Sequence, residues 1–166
     1  MLKNRFYSYL LIPLALSIIA VSGAYYLKNT TQKPSKEEIP MSQNTNRQTT
    51  ASGLSFIITK PAPADAKKAE PGDIVNVHYT GWIDDNGMPG RMFDSSVERG
   101  EPLTFPIGVG YVIKGWDEAV LDMQVGEKRR IFIPSNLGYG ARGAGAAIPP
   151  NANLIFDVEF LSIESE

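Results

Sequence analysis

The sequence predicts an α+β domain, an antiparallel sheet with one short helix laid against one face, on three observations. Short runs of alternating apolar and polar residues recur between residues 54 and 160. Turn signals separate them: Pro71-Gly72-Asp73, Asp85-Asn86-Gly87, Pro89-Gly90 and Val125-Gly126-Glu127. One segment breaks the period of two, because Trp116, Ala119, Val120 and Met123 fall at helical spacing. A sheet and a helix each carry one apolar face, and each can bury it against the other.

Taken in order, Leu54-Ser55-Phe56-Ile57-Ile58-Thr59 reads as a strand that ends at Pro61. In the run from Asp73 to Tyr79, alternation places Val75, Val77 and Tyr79 on one face and Asn76 and His78 on the other. Leu103-Thr104-Phe105 and residues 128–133 are further strands. Between them lies the helix, with Asp117 and Glu118 in its first turn, where the helix dipole favours anions, and Gly126 to end it. Trp116 opens this helix and points at the sheet, as core or as the floor of a pocket. The last strand puts Leu154, Phe156, Val158 and Phe160 on one apolar side.

Ahead of the domain the composition changes twice. Lys3 and Arg5 precede an uncharged run of 22 residues, 6–27, whose most apolar part is 10–20. Such a run just spans a hydrocarbon core of about 30 Å at roughly 1.5 Å per residue. Tyr7, Tyr9, Tyr25 and Tyr26 flank it like interfacial anchors, whereas Ser22-Gly23-Ala24 offers small residues for cleavage. Residues 1–27 are therefore expected to be a signal peptide or a retained membrane anchor, and the protein to be exported to the periplasm or another extracytoplasmic space. Residues 28–52 are polar and read as a flexible tether. The folded domain is expected over 53–166.

The net charge is −2, which gives no electrostatic footprint for nucleic acid. The triplet Lys128-Arg129-Arg130, beside Glu127, reads as a solvated strand edge. There are no cysteines, which excludes disulfides, thiolate metal sites and a lipid-modified N-terminal cysteine. His78 is the one histidine and reads as structural or exposed.

Gly138, Gly140 and Gly143 spell G-x-G-x-x-G after a strand-like run. A dinucleotide fingerprint must turn into a helix whose amides hold the pyrophosphate. Here Pro149 and Pro150 follow, lacking amide hydrogens, and then a strand. The glycines, Gly145 included, instead shape a long loop. Ser95 and Ser96 have no histidine base except a distant His78. What remains is a set of aromatics near loop ends, Tyr79, Phe93, Phe105, Trp116, Tyr139 and Phe156, with Asp94 directly after Phe93. An apolar concavity with a few polar groups is the usual form of a binding site.

Five blocks then appear in order: Val77-His78-Tyr79-Thr80-Gly81, Phe93-Asp94-Ser95-Ser96, Val112-Ile113-Lys114-Gly115-Trp116, Tyr139-Gly140 and Ile148-Pro149-Pro150-Asn151-Ala152. Together they resemble the signature of the FKBP-type peptidyl-prolyl cis-trans isomerases, over roughly residues 53–163. The resemblance implies a twisted antiparallel sheet wrapped around one short helix. It implies a pocket with Trp116 as floor and Tyr79, Phe93, Ile148 and Phe156 as walls. Val112 and Ile113 would form one side, with Leu103 at a position often aromatic in the family, and Phe105 is counted with the substrate-binding set. Asp94, Tyr139, Phe93 and the Ile113 amide are the implied catalytic groups, the amide receiving a substrate carbonyl. The turn over 84–91 is longer than in the smallest members.

No metal and no cofactor are implied, since rotation about an X-Pro bond breaks no covalent bond. The implied partners are proline-containing and unfolded polypeptides, with macrolides as inhibitors, and the membrane enters only through residues 1–27. The implied role is to assist the folding of exported proteins. A non-catalytic chaperone or proline-peptide-binding module on the same fold is the alternative.

Overall fold

The computed structural model describes residues 46–164. The leader or anchor expected at 1–27, and residues 28–45 of the expected tether, lie outside them. Among the described residues, seven strands form one antiparallel sheet: β1 (Gln48–Thr49), β2 (Ser55–Lys60), β3 (Ile74–Asp85), β4 (Met88–Ser95), β5 (Leu103–Pro106), β6 (Lys128–Ile133) and β7 (Leu154–Ile163). The order across the sheet is β1-β2-β6-β7-β3-β4, with β5 also paired to β3. The α+β fold expected from sequence is the one observed, one main helix, Lys114–Asp122, covering one face of the sheet.

Backbone pairing begins ahead of residue 53, because Gln48 and Thr49 pair with Phe56 and Ser55. The Arg47 guanidinium lies 3.8 Å from the centre of the Phe132 ring. The end of the polar tract thus belongs to the sheet. Its composition hides this, since an edge strand two residues long needs no apolar face.

β3 is the spine of the fold. Its alternation places Val75 and Val77 at 0% exposure and Tyr79 at 7%, on the predicted inward face. β3 pairs with β7 along nearly its whole length, while β5 and β4 follow one another along its other edge. The β3–β4 hairpin turns on Asn86 and Gly87, both at positive φ (54° and 85°), as a type I′ turn requires. The strand resumes at Met88 and runs straight through Pro89-Gly90, which the sequence marked as a second turn. Proline is tolerated there because β4 is an edge strand and the missing N–H can face away from the ladder.

The main helix starts at Lys114, two residues ahead of Trp116, and buries Gly115, Trp116, Ala119 and Val120. It stops at Asp122, ahead of the turn at Gly126. Asp117 does more than complement the dipole. Its two carboxylate oxygens accept the N–H groups of Gly108 and Gly110, at 2.9 and 2.6 Å, and so tie down the loop that enters the helix.

The basic triplet is not a solvated edge. β6 lies between β2 and β7, and all three cations are paired. Lys128 meets Glu159 and Arg130 forks onto Asp157. Arg129 is buried against Glu127, with Asp122 and the Phe56 ring beside it.

Candidate active site

The aromatics singled out in the sequence converge on one side of the sheet. Trp116, 4% exposed, sits edge-on to Tyr79 (ring centres 5.0 Å apart) and to Phe156 (5.3 Å). Phe93 in turn stands edge-on to Phe156 at 5.5 Å. Edge-to-face contact is the favoured arrangement of ring quadrupoles, so the cluster is stiff as well as apolar. Gly81 lets it close: a Cβ there would lie 2.6 Å from Phe156 Cε1 and 2.7 Å from Phe93 Cζ.

Above these rings is a cavity of about 380 Å³. Tyr79, Phe93, Trp116 and Phe156 form its floor and walls, Leu103, Val112 and Ile113 one side, and Asp94 and Tyr139 its polar edge. Nine of the eleven residues expected at the site therefore line this cavity. Phe105 and Ile148 do not line the cavity. Phe105, 1% exposed, faces its cross-strand partner Val75 and lies under Trp116, with ring centres 5.8 Å apart. Ile148, 3% exposed, is turned into the core, and its backbone closes a small bridge with Ala144.

The glycine loop is thus folded on itself rather than draped over the cavity. Gly140, Gly143 and Gly145 have positive φ and Gly138 does not. Gly143 is the most constrained, because a Cβ there would collide with the Ile148 carbonyl oxygen. Asn151 N–H to Gly140 O (2.8 Å) and Arg91 to Ala147 O (2.6 Å) pin the loop from either side, leaving Tyr139 at the mouth.

Two residues of the site were missed in the sequence. Arg99 reaches both Asp94 and the Tyr79 hydroxyl, the latter at 3.1 Å. The intervening turn makes this possible. Ser95 caps the helical turn Ser96–Arg99 by accepting the Glu98 N–H, and Gly100 ends it in a left-handed conformation. The buried Ser96 hydroxyl accepts the Tyr79 N–H at 2.7 Å and locks this turn to β3. His78 also contacts Ser96 Oγ, at 3.0 Å, so the two are not distant. Ser96 is fully buried and serves the backbone. Tyr111, 70% exposed, is the other missed residue and sits on the cavity rim.

The charges settle the protonation states. The Tyr79 hydroxyl and the Arg99 guanidinium both donate to the Asp94 carboxylate. Burial pushes the Asp94 pKa up, but those hydrogen bonds and the Arg99 charge outweigh it, and the group ends below the usual carboxylate range. Tyr79 is raised by burial and by its bond to Asp94. Tyr139 is raised by burial and by the Asp94 charge, and remains a protonated donor at neutral pH. Among the described residues, neither the Tyr139 hydroxyl nor the Ile113 N–H is engaged in a hydrogen bond. The indole N–H of Trp116 is likewise buried without an acceptor there. The site therefore offers an apolar seat, free donors at its edge and an ionised carboxylate that cannot give up a proton.

Comparison with known proteins agrees with this geometry. Residues 65–161, more than half of the chain, match the family described as FKBP-type peptidyl-prolyl cis-trans isomerase. An FK506-binding protein of Neisseria meningitidis serogroup C is 51% identical over 109 residues, covering 66% of this chain and 96% of that protein. The peptidyl-prolyl cis-trans isomerase FPR2 of Saccharomyces cerevisiae is 55% identical over 98 residues, covering 59% and 70%. The crystal structure of AtFKBP13 superposes with a TM-score of 0.64 at 40% identity, covering 71% of this chain and 98% of that one. The chain belongs to the FKBP-type peptidyl-prolyl cis-trans isomerase family.

Proposed function

We propose that the aromatic cavity is where this peptidyl-prolyl isomerase turns X-Pro bonds, with the proline ring seated on Trp116. The observation that carries the reading is the pairing of an apolar seat with two uncommitted donors at its edge, Tyr139 Oη–H and Ile113 N–H. Amide resonance sets a barrier of about 18–20 kcal/mol, and uncatalysed exchange takes tens to hundreds of seconds. Resonance places charge on the carbonyl oxygen, and water favours that planar form over the twisted one. An apolar cavity removes this preference. Donors fixed at its edge then hold the twisted state by geometry alone. Phe93, Phe156 and Tyr79 enclose the bond, while Val112, Ile113 and Leu103 bound the substrate chain. Ionised Asp94 has no proton to transfer; it orients Tyr79 and Arg99 and sets the field at the wall.

Ligands of this cavity are proline-containing polypeptides and FK506-like macrolides, as the names of the related proteins suggest. A protease-free cis-trans exchange assay on a proline peptide tests the site. The full chain accelerates exchange, and FK506 suppresses it. Tyr139→Phe keeps the shape and loses one donor, so kcat/KM falls by roughly two- to tenfold. A folded Tyr139→Phe protein with no activity at all, or with wild-type activity, would overturn the role given to that hydroxyl.

The clients are proposed to be exported proteins in the course of folding. The support is the charged start and uncharged run of residues 3–27, followed by the polar tract to residue 45. Cell fractionation checks it. The full chain should partition outside the cytoplasm, membrane-bound or free, and a chain lacking 1–27 should stay within. The same compartment for both chains would sink the proposal.

A further inference from the structure

The cavity is at the small end for a ligand site, so the residues that flank a seated proline must lie at its mouth. There the loop Gly108-Val109-Gly110-Tyr111 leaves two large apolar side chains in water, Val109 at 58% and Tyr111 at 70% exposure. Most exposed apolar residues mean little, but Tyr111 also forms part of the cavity rim, continuous with Val112 and Ile113.

The loop is held in place. Asp117 grips the Gly108 and Gly110 amides, and both glycines have positive φ, 73° and 79°. Gly108 fits closely against Pro71 and Leu121, where a Cβ would find neighbours at 3.3 Å. An aromatic side chain on a fixed backbone has few rotamers to lose, which makes tyrosine an efficient contact surface.

From this placement we propose that Tyr111 is a specificity-determining residue, holding an aromatic or large apolar side chain next to the proline. The assignment rests on the reading of the cavity as the X-Pro site. Distance supports it. The Ile113 amide, which receives a substrate carbonyl in that reading, is two residues from Tyr111, at most about 7 Å along the chain. A peptide anchored at Ile113 brings the adjoining residue over the tyrosine ring. Val109, exposed in the same loop, makes that surface apolar.

The test compares peptides sharing one X-Pro unit in which each neighbour of the proline in turn is Gly or Phe. The wild-type full chain prefers Phe at one of the two positions by about three- to tenfold in kcat/KM, carried by KM. Tyr111→Ala flattens that preference to within twofold, and Tyr111→Phe retains it. A Tyr111→Ala protein that keeps the wild-type ratio at both positions overturns the assignment, whatever its absolute rate. A wild type with no preference at either position does so too. If the wild type accelerates none of the peptides, the cavity reading itself fails; acceleration with an unaltered ratio removes only the role of Tyr111.

Discussion

Phe93→Ala is expected to cut kcat/KM for a proline peptide by about thirtyfold while the domain stays folded. Phe93 lies on the outer wall of the cavity, edge-on to Phe156, and is only partly buried by the protein itself. Under the proposed function its ring becomes fully enclosed only when a substrate covers it. Burying a phenylalanine side chain is worth about 1.5–3 kcal/mol, and 1.36 kcal/mol is a factor of ten in rate. About 2 kcal/mol withdrawn from the enclosed bond gives the thirtyfold figure. The removed wall also readmits water, which favours the planar amide and opposes rotation. Stability depends less on this ring than on Trp116 or Phe105, which are enclosed in the free protein. Phe93→Leu keeps the wall and should retain most of the activity. Equal kcat/KM for Phe93→Ala and wild type, with circular dichroism unchanged, would remove Phe93 from the site. A matching loss in a variant that has melted would say nothing for catalysis, so both readouts are taken on one preparation.

The contrast between Phe93 and Phe105 shows where the sequence is legible. Alternation gave the inward faces of β3 and β7, because Val75, Val77, Tyr79, Leu154, Phe156, Val158 and Phe160 are buried on one side of a pleated strand. It could not say which buried aromatics border a cavity. Phe105 pairs with Val75 beneath Trp116, and Phe93 stands above Phe156 beside Gly81. Both are phenylalanines near a strand end, and only packing across the sheet separates them. Ile148 was misplaced for a similar reason. The loop's own bridge to Ala144 decides its direction, and a glycine-rich sequence carries no period from which to read that.

Arg99 and Tyr111 stayed invisible for different reasons. Arg99 reaches Asp94 through a turn whose shape depends on Ser95 and Gly100, six residues of chain with no apolar pattern. Tyr111 is held by an interaction between backbone amides and Asp117, which hydropathy does not register. In the sequence Asp117 is a dipole-compensating acid at a helix start; in the fold it holds the loop that presents Tyr111.

Glu127→Ala is expected to destabilise the domain by about 3–5 kcal/mol, the largest single loss among its charged side chains. Expectation from sequence put Glu127 and Arg129 in water; they are 4% and 5% exposed. The Arg129 guanidinium bonds to Glu127, donates to Asp122 at 2.9 Å and lies 4.3 Å from the centre of the Phe56 ring. Glu127 also accepts the Gln124 N–H at 3.2 Å. Alanine at 127 leaves a buried guanidinium with one carboxylate, that of Asp122, whose side chain is 55% exposed. Burying an unpaired cation costs far more than the pair contributes over a neutral replacement. Glu127→Leu combined with Arg129→Met should therefore recover most of the lost stability, because the desolvation cost of both ions disappears together. Acid should also bear harder on the single variant. Burial raises the Asp122 pKa, but hydrogen bonds from Lys68 and Arg129 bring it below its ordinary value. The stability it contributes is present above the unfolded pKa and is lost as pH falls through the lowered folded one. Urea unfolding of the full chain at pH 7 and at about pH 2.5, below the ordinary aspartate pKa, measures both effects. A Glu127→Ala protein within 1 kcal/mol of wild type at pH 7 would show that Asp122 and Phe56 alone satisfy the buried guanidinium. A double variant no more stable than the single one would show that the pair contributes more than its desolvation cost, which is the reverse of the balance argued from its burial.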